Sequence, residues 1–550
     1  MRKFTLLGAA ALMAVSVSAS PLKPINNHKA SKLFSGQTEV ASQRVAKIYE
    51  SGNKMMESPA QALRKGGKAQ KVKGTRQAPA PMESEIILEQ PAGKLSNWSR
   101  DCMSWYGFMG FVGQEPIAGC VQQIVEGDDG KIYLNVLFSQ FPLGDVWVYA
   151  DKKEDGGFVI PGGQKVYTEE YDGQIMDCYL VPMTFAYDEE EEDYIFSYTE
   201  SAAFNYVDGN YVQADSDVII ALCENDEYTE GEYEWTGYGD QDIKLSPMTS
   251  TLTVMPDSSE TEKWAALTDD GGYFVNVLVS GSQMYIKGLV YNCPEGVLVA
   301  AIDGDEITIK GGQFVGMDDY FWTWSYVYGG EIEEVWNEEW EDFDIYANIS
   351  GDLHFSYDAE AKKLVSKESI IICNNNPENL EDAIPSSYLE ELTIVKQNRD
   401  PKAAPANPYN LEFRDEMEDW GTNSFLFYIP EVDVDGNLLE AKNLYYRIYV
   451  DGEIFTFYDD EYPGLPEDGV KMLNCEFTNF EDIYSSGLAK NVTLYFEGMD
   501  ELGVQSVYLQ PVDGADPVEV VSEIVSIDTS AVKGVEAVKT VSSEWFDMQG

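Results

Sequence analysis

From about residue 85 onward, apolar and polar positions alternate with period two in short runs rich in Tyr, Val, Ile and Phe. The runs are separated by DG, GG, GD and NG pairs, the residues that tight turns between antiparallel strands require. CVQQIVEGDDGKIYLNVL (120–137) and YFVNVLVSGSQMYIKGLV (273–290) each read as a strand, a short turn and a returning strand. Apolar spacing of helical period is rare, so the pattern predicts an all-β protein.

Two stretches of this pattern are versions of one another. KIYLNVLFSQFPLGDVWVYADKKEDGGFVIPGGQKV (131–166) aligns with QMYIKGLVYNCPEGVLVAAIDGDEITIKGGQFV (283–315), matching Tyr133 with Tyr285, Pro142 with Pro294 and Gly162-Gly163 with Gly311-Gly312. Further on, DVIIALCEND (217–226) aligns with SIIICNNNP (369–377), and Cys223 answers Cys373. The offset stays at 149–152 throughout, which marks a duplication. A period this long exceeds any solenoid or propeller-blade repeat, so the repeated unit is a whole domain. Its many short strands predict two tandem homologous β-sandwich or flattened-barrel domains.

The region before the repeats is a different material. MRKFTLLGAAALMAVSVSAS has a basic start, an apolar stretch too short to span a bilayer, and the small-residue Val17-Ser18-Ala19 cleavage pattern of a secretory signal peptide. Residues 20–84 are polar and basic, ending in RKGGKAQKVKGTRQAPAP, and cannot bury a core. They read as a flexible linker or a pro-segment open to trypsin-like cleavage, with helical spacing only from Val45 to Met56. No later run has the apolar length of a membrane helix, so the expected location is secreted or cell surface, without a membrane span.

Net charge sharpens that division. Residues 1–80 hold 14 of the 37 Lys and Arg but 3 of the 96 acids, a balance of +11, which leaves −70 for the rest of a chain whose total is −59. So acidic a body repels phosphate backbones, and nucleic acid is excluded as its partner. The seven cysteines contain no C-x-x-C pair, against zinc knuckles and thioredoxin-like chemistry. Cys102 and Cys120 are near enough in sequence to bridge, or are separate buried thiols.

After the break DPKAAPANPYN (400–410), strands return at immunoglobulin-like spacing in SFLFYIPEVDVDGNLLEAKNLYYRIYVDGEIFTFY (424–458) and NVTLYFEGMDELGVQSVYLQPV (491–512). Through YYRIYVDGE (445–453) and GVQSVYL (503–509), this part resembles the fibronectin type III-like or Ig-like modules near the C-termini of secreted Bacteroidetes proteins. The resemblance implies a third β-sandwich and says nothing about a ligand. SSEWFDMQG (542–550) resembles the start of the C-terminal tail of such proteins, which in some is a secretion signal and continues into a basic strand. The basic strand is not in this sequence, so the tail is either cut short or not a signal. The expected plan is signal peptide 1–19, basic segment 20–84, β domain copy 1 at 85–257, copy 2 at 258–399, Ig/fibronectin III-like domain 400–527 and tail 528–550.

Chemistry is bounded by what is scarce. There are 2 histidines, His28 and His354, so histidine-ligated zinc or copper is excluded. Asp352, His354 and Ser356 alternate along one predicted strand face, and residues in a row cannot form the relay that a nucleophilic triad needs. Carboxylates are abundant, so a hydrolase using a carboxylate pair stays open. DVDGN (433–437) places Asp433, Asp435 and Asn437 at alternate positions, a possible calcium loop or a plain hairpin turn.

The stretch YFWTWSYVYGGEIEEVWNEEWEDFDIY (320–346) carries four tryptophans and eight carboxylates without one Lys or Arg. Trp322 and Trp324 alternate as if on one sheet face, and Trp336 and Trp340 stand at i, i+4 as on a helical turn. They are either core or an aromatic ligand platform. DEEEED (188–193) and EEVWNEEWEDFD (333–344) occupy matching places in the two copies. The expected function is a non-enzymatic exported binding or adhesion protein whose ligand is a glycan or a host or matrix protein. The alternatives are a carbohydrate-active hydrolase and a structural surface component. Oligomeric state is not legible.

Overall fold

The period-two runs form strands with their apolar positions inward. In Gln283–Lys287, for example, Met284 and Ile286 are buried while Gln283 faces solvent. The computed structural model describes residues 23–24 and 86–528, except 109–110, 136–137, 142, 145, 172–173, 189–192, 226–232, 269–270, 319, 338–341, 418–421, 459–463, 478–482, 486 and 497–500. Val45 to Met56, Trp340 and the C-terminal tail therefore lie outside the described residues. Among those described, helix is confined to single 3-10 turns at Leu380–Asp382 and Ala441–Asn443, and none is long and apolar enough to cross a membrane. The chain is all-β.

The duplication is visible strand by strand. In the first copy, Gly93–Phe108, Phe111–Gly127, Ile132–Asn135, Trp147–Lys152, Phe158–Pro161, Ser201–Val207, Asn210–Gln213 and Glu234–Pro247 pair in that order, and the last closes onto the first. In the second, Glu262–Thr268, Gly271–Ser280, Gln283–Lys287, Val297–Asp303, Glu306–Ile309, Leu353–Asp358, Lys363–Ser366 and Thr393–Val395 repeat the closure. We call these barrel 1 and barrel 2. Closure leaves neither with an open edge.

Each barrel carries a side sheet built from the segment between its fifth and sixth strands and one strand from between its seventh and eighth. In copy 1 the central strand is Gln174–Asp188, flanked by Gln164–Tyr171, Asp193–Tyr198 and Val218–Asn225. In copy 2 it is Thr323–Asn337, flanked by Gln313–Asp318, Asp342–Gly351 and Ser369–Cys373. Gln164 and Gln313 lock the sheets to the barrels in the same way. Tyr149 N donates to Gln164 Oε1 and Gln164 Nε2 to Tyr149 O, both at 2.9 Å; Gln313 makes the same pair with Val299, both at 2.8 Å. Each side-chain amide thus stands in for a missing strand neighbour.

The side sheet of copy 2 lies against barrel 1. Thr323 bridges Cys120, Val121 N donates to Trp322 O at 2.7 Å, and Asn374 Nδ2 to Ala118 O at 3.1 Å. Gly119 sits at φ +73°, and a Cβ there would come within 2.3 Å of Asn374 O, so this close approach needs glycine.

The third unit is a two-sheet sandwich. Tyr409–Met417, Thr422–Pro430 and Ala489–Phe496 form one layer; Leu444–Val450, Glu501–Val512 and Ala515–Val521 form the core of the other. Phe425, Phe427 and Ile429 meet Tyr446, Ile448, Leu502 and Val504 between them. Arg399, just before this unit, is tied to Asp433 at 3.1 Å and lies over the Tyr508 ring.

Candidate functional site

The four tryptophans do not share one surface. Trp322 is in a turn, at φ +54°, and only Thr323 begins the strand. The turn is launched by Asp318, whose Oδ1 accepts from Tyr320 N at 2.9 Å and Phe321 N at 2.7 Å, while its carbonyl accepts from Trp322 N. The indole of Trp322 lies over Gly144 of barrel 1. Trp324 is only 6% exposed, and its Nε1 donates to Trp98 O at 2.9 Å across the seam between copies. The expected common sheet face of Trp322 and Trp324 is thus corrected: one is a turn residue and the other is core.

The register explains why copy 1 has no tryptophan there. Gln164 pairs with Leu180 and Gln313 with Val327, so Trp324 corresponds to Asp177. Asp177 bonds Lys165 at 2.6 Å and Thr168 at 2.9 Å. Copy 2 meets a neighbour at this position and uses an indole.

Trp336 also departs from expectation. It lies in the extended strand Thr323–Asn337, in register with Phe343, and not on a helical turn. A short aromatic and acidic run fits period 2 and period 3.6 equally, and hairpin pairing decided for the strand. Beyond Gly330, where pairing with Ser369–Cys373 ends, the hairpin continues as a ribbon. Val335 is 41% and Trp336 51% exposed there, beside exposed Glu331, Glu333 and Glu334. The equivalent hairpin of copy 1, Gln174–Asp188 with Asp193–Tyr198, leads to the other acidic run. Both tips lie outside the described residues, but their matching places follow from the pairing.

The DVDGN loop is a turn, and the calcium expectation is corrected. Asp433 is buried with its carboxylate occupied: Oδ1 accepts from Asp435 N at 3.0 Å and Asn437 N at 2.9 Å, and Oδ2 faces Arg399 Nε. A guanidinium holds the place that a cation would need. Among the described residues no three His, Cys, Asp or Glu side chains come together as metal ligands.

Asp352, His354 and Ser356 have separate partners. Asp352 binds Lys310, His354 Nδ1 meets Glu368 Oε1 at 2.7 Å, and Ser356 Oγ donates to Val365 O. All seven cysteines are buried free thiols. Burial raises Cys102, and it pushes Cys120 up to about 12, so neither is a ready nucleophile.

A shallow cleft of about 380 Å³ lies on barrel 2, lined by Glu260, Glu262, Trp264, Tyr357 and Lys362 among others. Glu262 accepts from Lys362 at 2.9 Å, Lys396 at 2.7 Å and Trp264 Nε1 at 3.2 Å, and the two lysines hold its carboxyl down to about 2. It is a fixed anion and a poor proton donor.

One polar constellation was not foreseen. Inside barrel 1, Arg100 Nη2 stands 3.3 Å from Asp240 Oδ2, with both side chains buried. Ser139 N donates to Asp240 Oδ2 at 2.9 Å and Ser139 Oγ to Oδ1 at 2.5 Å, while Arg100 Nη1 reaches Gln122 Oε1 at 3.5 Å. Burial is the largest single influence on Arg100 and opposes its charge, but Asp240 together with Cys102 and Cys120 outweighs it and the net shift is upward. The cluster pins the segment at Ser139. The available signal was the alignment of copies, since Arg100 falls against Ala266, Gln122 against Val275 and Asp240 against Leu389. No family model matches the chain, and no curated protein matches it significantly.

Proposed function

We propose that this is an exported, non-enzymatic binding protein, acting in the medium or at the cell surface, in which barrels and sandwich are scaffold and the ribbon beyond Gly330 is the contact element. The third unit, on this reading, is the Ig/fibronectin III-like module of a secreted Bacteroidetes-type protein. One observation carries the reading: Trp336, 51% exposed, stands with Val335 among carboxylates on a ribbon outside the barrel body. An exposed indole ringed by charge has the composition of an interface anchor with a polar rim. The eight carboxylates of residues 320–346 favour a partner with a basic surface, a host or matrix protein over a neutral glycan.

The test is an array of matrix proteins and glycans probed with the mature chain, with and without calcium. Trp336→Ala should weaken capture of a basic protein about thirtyfold, the effect of a central aromatic anchor. Added salt should weaken it further, and calcium should not be required. Trp324→Ala should instead destabilise the fold by about 3–5 kcal/mol, as a core aromatic does. Capture unchanged by Trp336→Ala would remove the ribbon from consideration.

A further inference from the structure

The sandwich of the third unit holds a lysine and a glutamate at one end of its interior. Lys490, Val492 and Leu494 alternate along Ala489–Phe496 toward the core, to which Val492 and Leu494 belong. Lys490 stands opposite Ile429, also a core residue, and Glu431 follows two positions on. Lys490 Nζ lies 3.6 Å from Glu431 Oε1, with the two side chains 1% and 8% exposed. We propose that this pair condenses to a side-chain amide, a covalent bond between Lys490 Nζ and Glu431 Cδ that ties the end of Thr422–Pro430 to Ala489–Phe496.

Position and surroundings both favour the step. The backbone of Glu431 is held on both sides, its N–H donating to Leu488 O and its carbonyl accepting from Leu439 N, each at 2.8 Å. Lys490 is held between strands, paired with Ile429 and with Ser485. Reactants fixed at this range have the proximity that a free amine and acid in water lack. Their separation exceeds the roughly 2.7–2.9 Å of a charge-assisted hydrogen bond and is near the roughly 3–3.5 Å of an attacking geometry. Two opposite charges in an apolar interior carry a desolvation penalty, and condensation removes both charges. Burial pushes the Glu431 carboxyl above its ordinary value, against the pull of Lys490, toward the neutral acid whose oxygen leaves as water. Cys475 lies in the same core, and burial raises its thiol, so it does not compete as a nucleophile.

The atoms balance without an added reagent. The ammonium of Lys490 passes one proton to the Glu431 carboxylate, giving an amine and a carboxylic acid. The nitrogen lone pair then attacks Cδ, the C–O bond to the hydroxyl breaks, and a second proton leaves nitrogen to make that hydroxyl water. Nothing is oxidised or reduced, and the products are one amide and one water. The Glu262–Lys362 pair of barrel 2 is closer, at 2.9 Å, but it is partly exposed, and surrounding water favours the separate ions. The amide closes residues 431–490 into a loop that unfolding does not open, as a disulfide would, and Cys475 of this unit is a free thiol.

Mass spectrometry of the folded, full chain tests this independently of any partner. Wild type should be lighter by one water than its sequence requires. A tryptic digest of the denatured protein should contain a branched peptide that joins the Glu431 and Lys490 segments and is uncut after Lys490. Lys490→Arg keeps a positive charge beside Glu431 but replaces the amine with a guanidinium that stays protonated, so this variant should have its full mass and no branch. Wild type at its full sequence mass would overturn the proposal, whatever the variant does. So would a lost water that maps elsewhere in the chain or persists in Lys490→Arg. A second branch between Glu262 and Lys362 would mark the bonds as products of sample handling and overturn it too.

Discussion

Barrel 1 and barrel 2 have the same strand order, the same closure and the same glutamine lock, yet they fill their interiors differently. Where barrel 2 packs Ala266, Val275 and Leu389, barrel 1 holds Arg100, Gln122 and Asp240. Closure is therefore set by period-two alternation, turn chemistry and backbone pairing, which the copies share, and it does not depend on an apolar residue at each inward site. What the polar interior adds is a connection. Ser139, in the segment after the third strand, is held to Asp240, 101 residues away in the chain. The neighbours differ too: barrel 1 receives the side sheet of copy 2 against its wall.

The sharpest way to break this comparison is to remove half of the buried pair. Asp240→Ala leaves the Arg100 charge buried beside an empty site and should cost about 3–5 kcal/mol in urea unfolding. Arg100→Met combined with Asp240→Leu, which moves barrel 1 toward the interior of barrel 2, should cost less than half as much and could stabilise. A double variant as damaged as the single one would show that barrel 1 requires the polar cluster, contrary to the lesson drawn from its twin.

The glutamine lock should respond in both copies. Gln164→Leu strands the backbone N–H and C=O of Tyr149, and Gln313→Leu those of Val299. Gln164 is buried and Gln313 half-buried, so water can replace the lost bonds more readily in copy 2. We expect losses of about 2 and about 1 kcal/mol in the same unfolding measurement. A free substitution in either copy would show that the lock is decorative there.

Much of this architecture is legible in the chain because strands, turns and duplication leave local marks. The GG turns that aligned the copies stand directly before Gln164 and Gln313, so even the lock lay beside a recognised signal. The site was less legible. Trp322-Thr-Trp324 alternates like a strand, but side-chain capping by Asp318 turns the chain first. Trp336 and Trp340 have helical spacing, but pairing of Trp336 with Phe343 overrides it. Asp433 has the company of a calcium ligand in sequence, and its partner Arg399 lies 34 residues earlier, beyond any local pattern. Burial and partners are long-range properties, and those decide what an indole or a carboxylate does.

The smallest expected difference concerns one carboxylate. Trp98 of barrel 1 and Trp264 of barrel 2 are equivalent, and each donates its indole N–H two residues back, to Ser96 Oγ and to Glu262 Oε2. Serine carries no charge, whereas Glu262 also binds Lys362 and Lys396 where the strands of barrel 2 close. Those lysines lower its carboxyl from 4.5 to about 2 in the folded chain. A depressed carboxylate contributes stability that is fully present above its unfolded value and is lost as pH falls through its folded value. The gap between wild type and Glu262→Gln should therefore be constant above pH 5 and close between about 4.5 and about 2. Its size should stay below about 1 kcal/mol and shrink in salt, because the ion pairs are partly exposed. Ser96→Ala should leave a gap with no dependence on pH in that window, since no charge is lost with the hydroxyl. If the Glu262→Gln gap instead persists unchanged to pH 2, the lysines are not what holds this carboxylate in place, and closure of barrel 2 rests on its strand pairing alone, as in barrel 1.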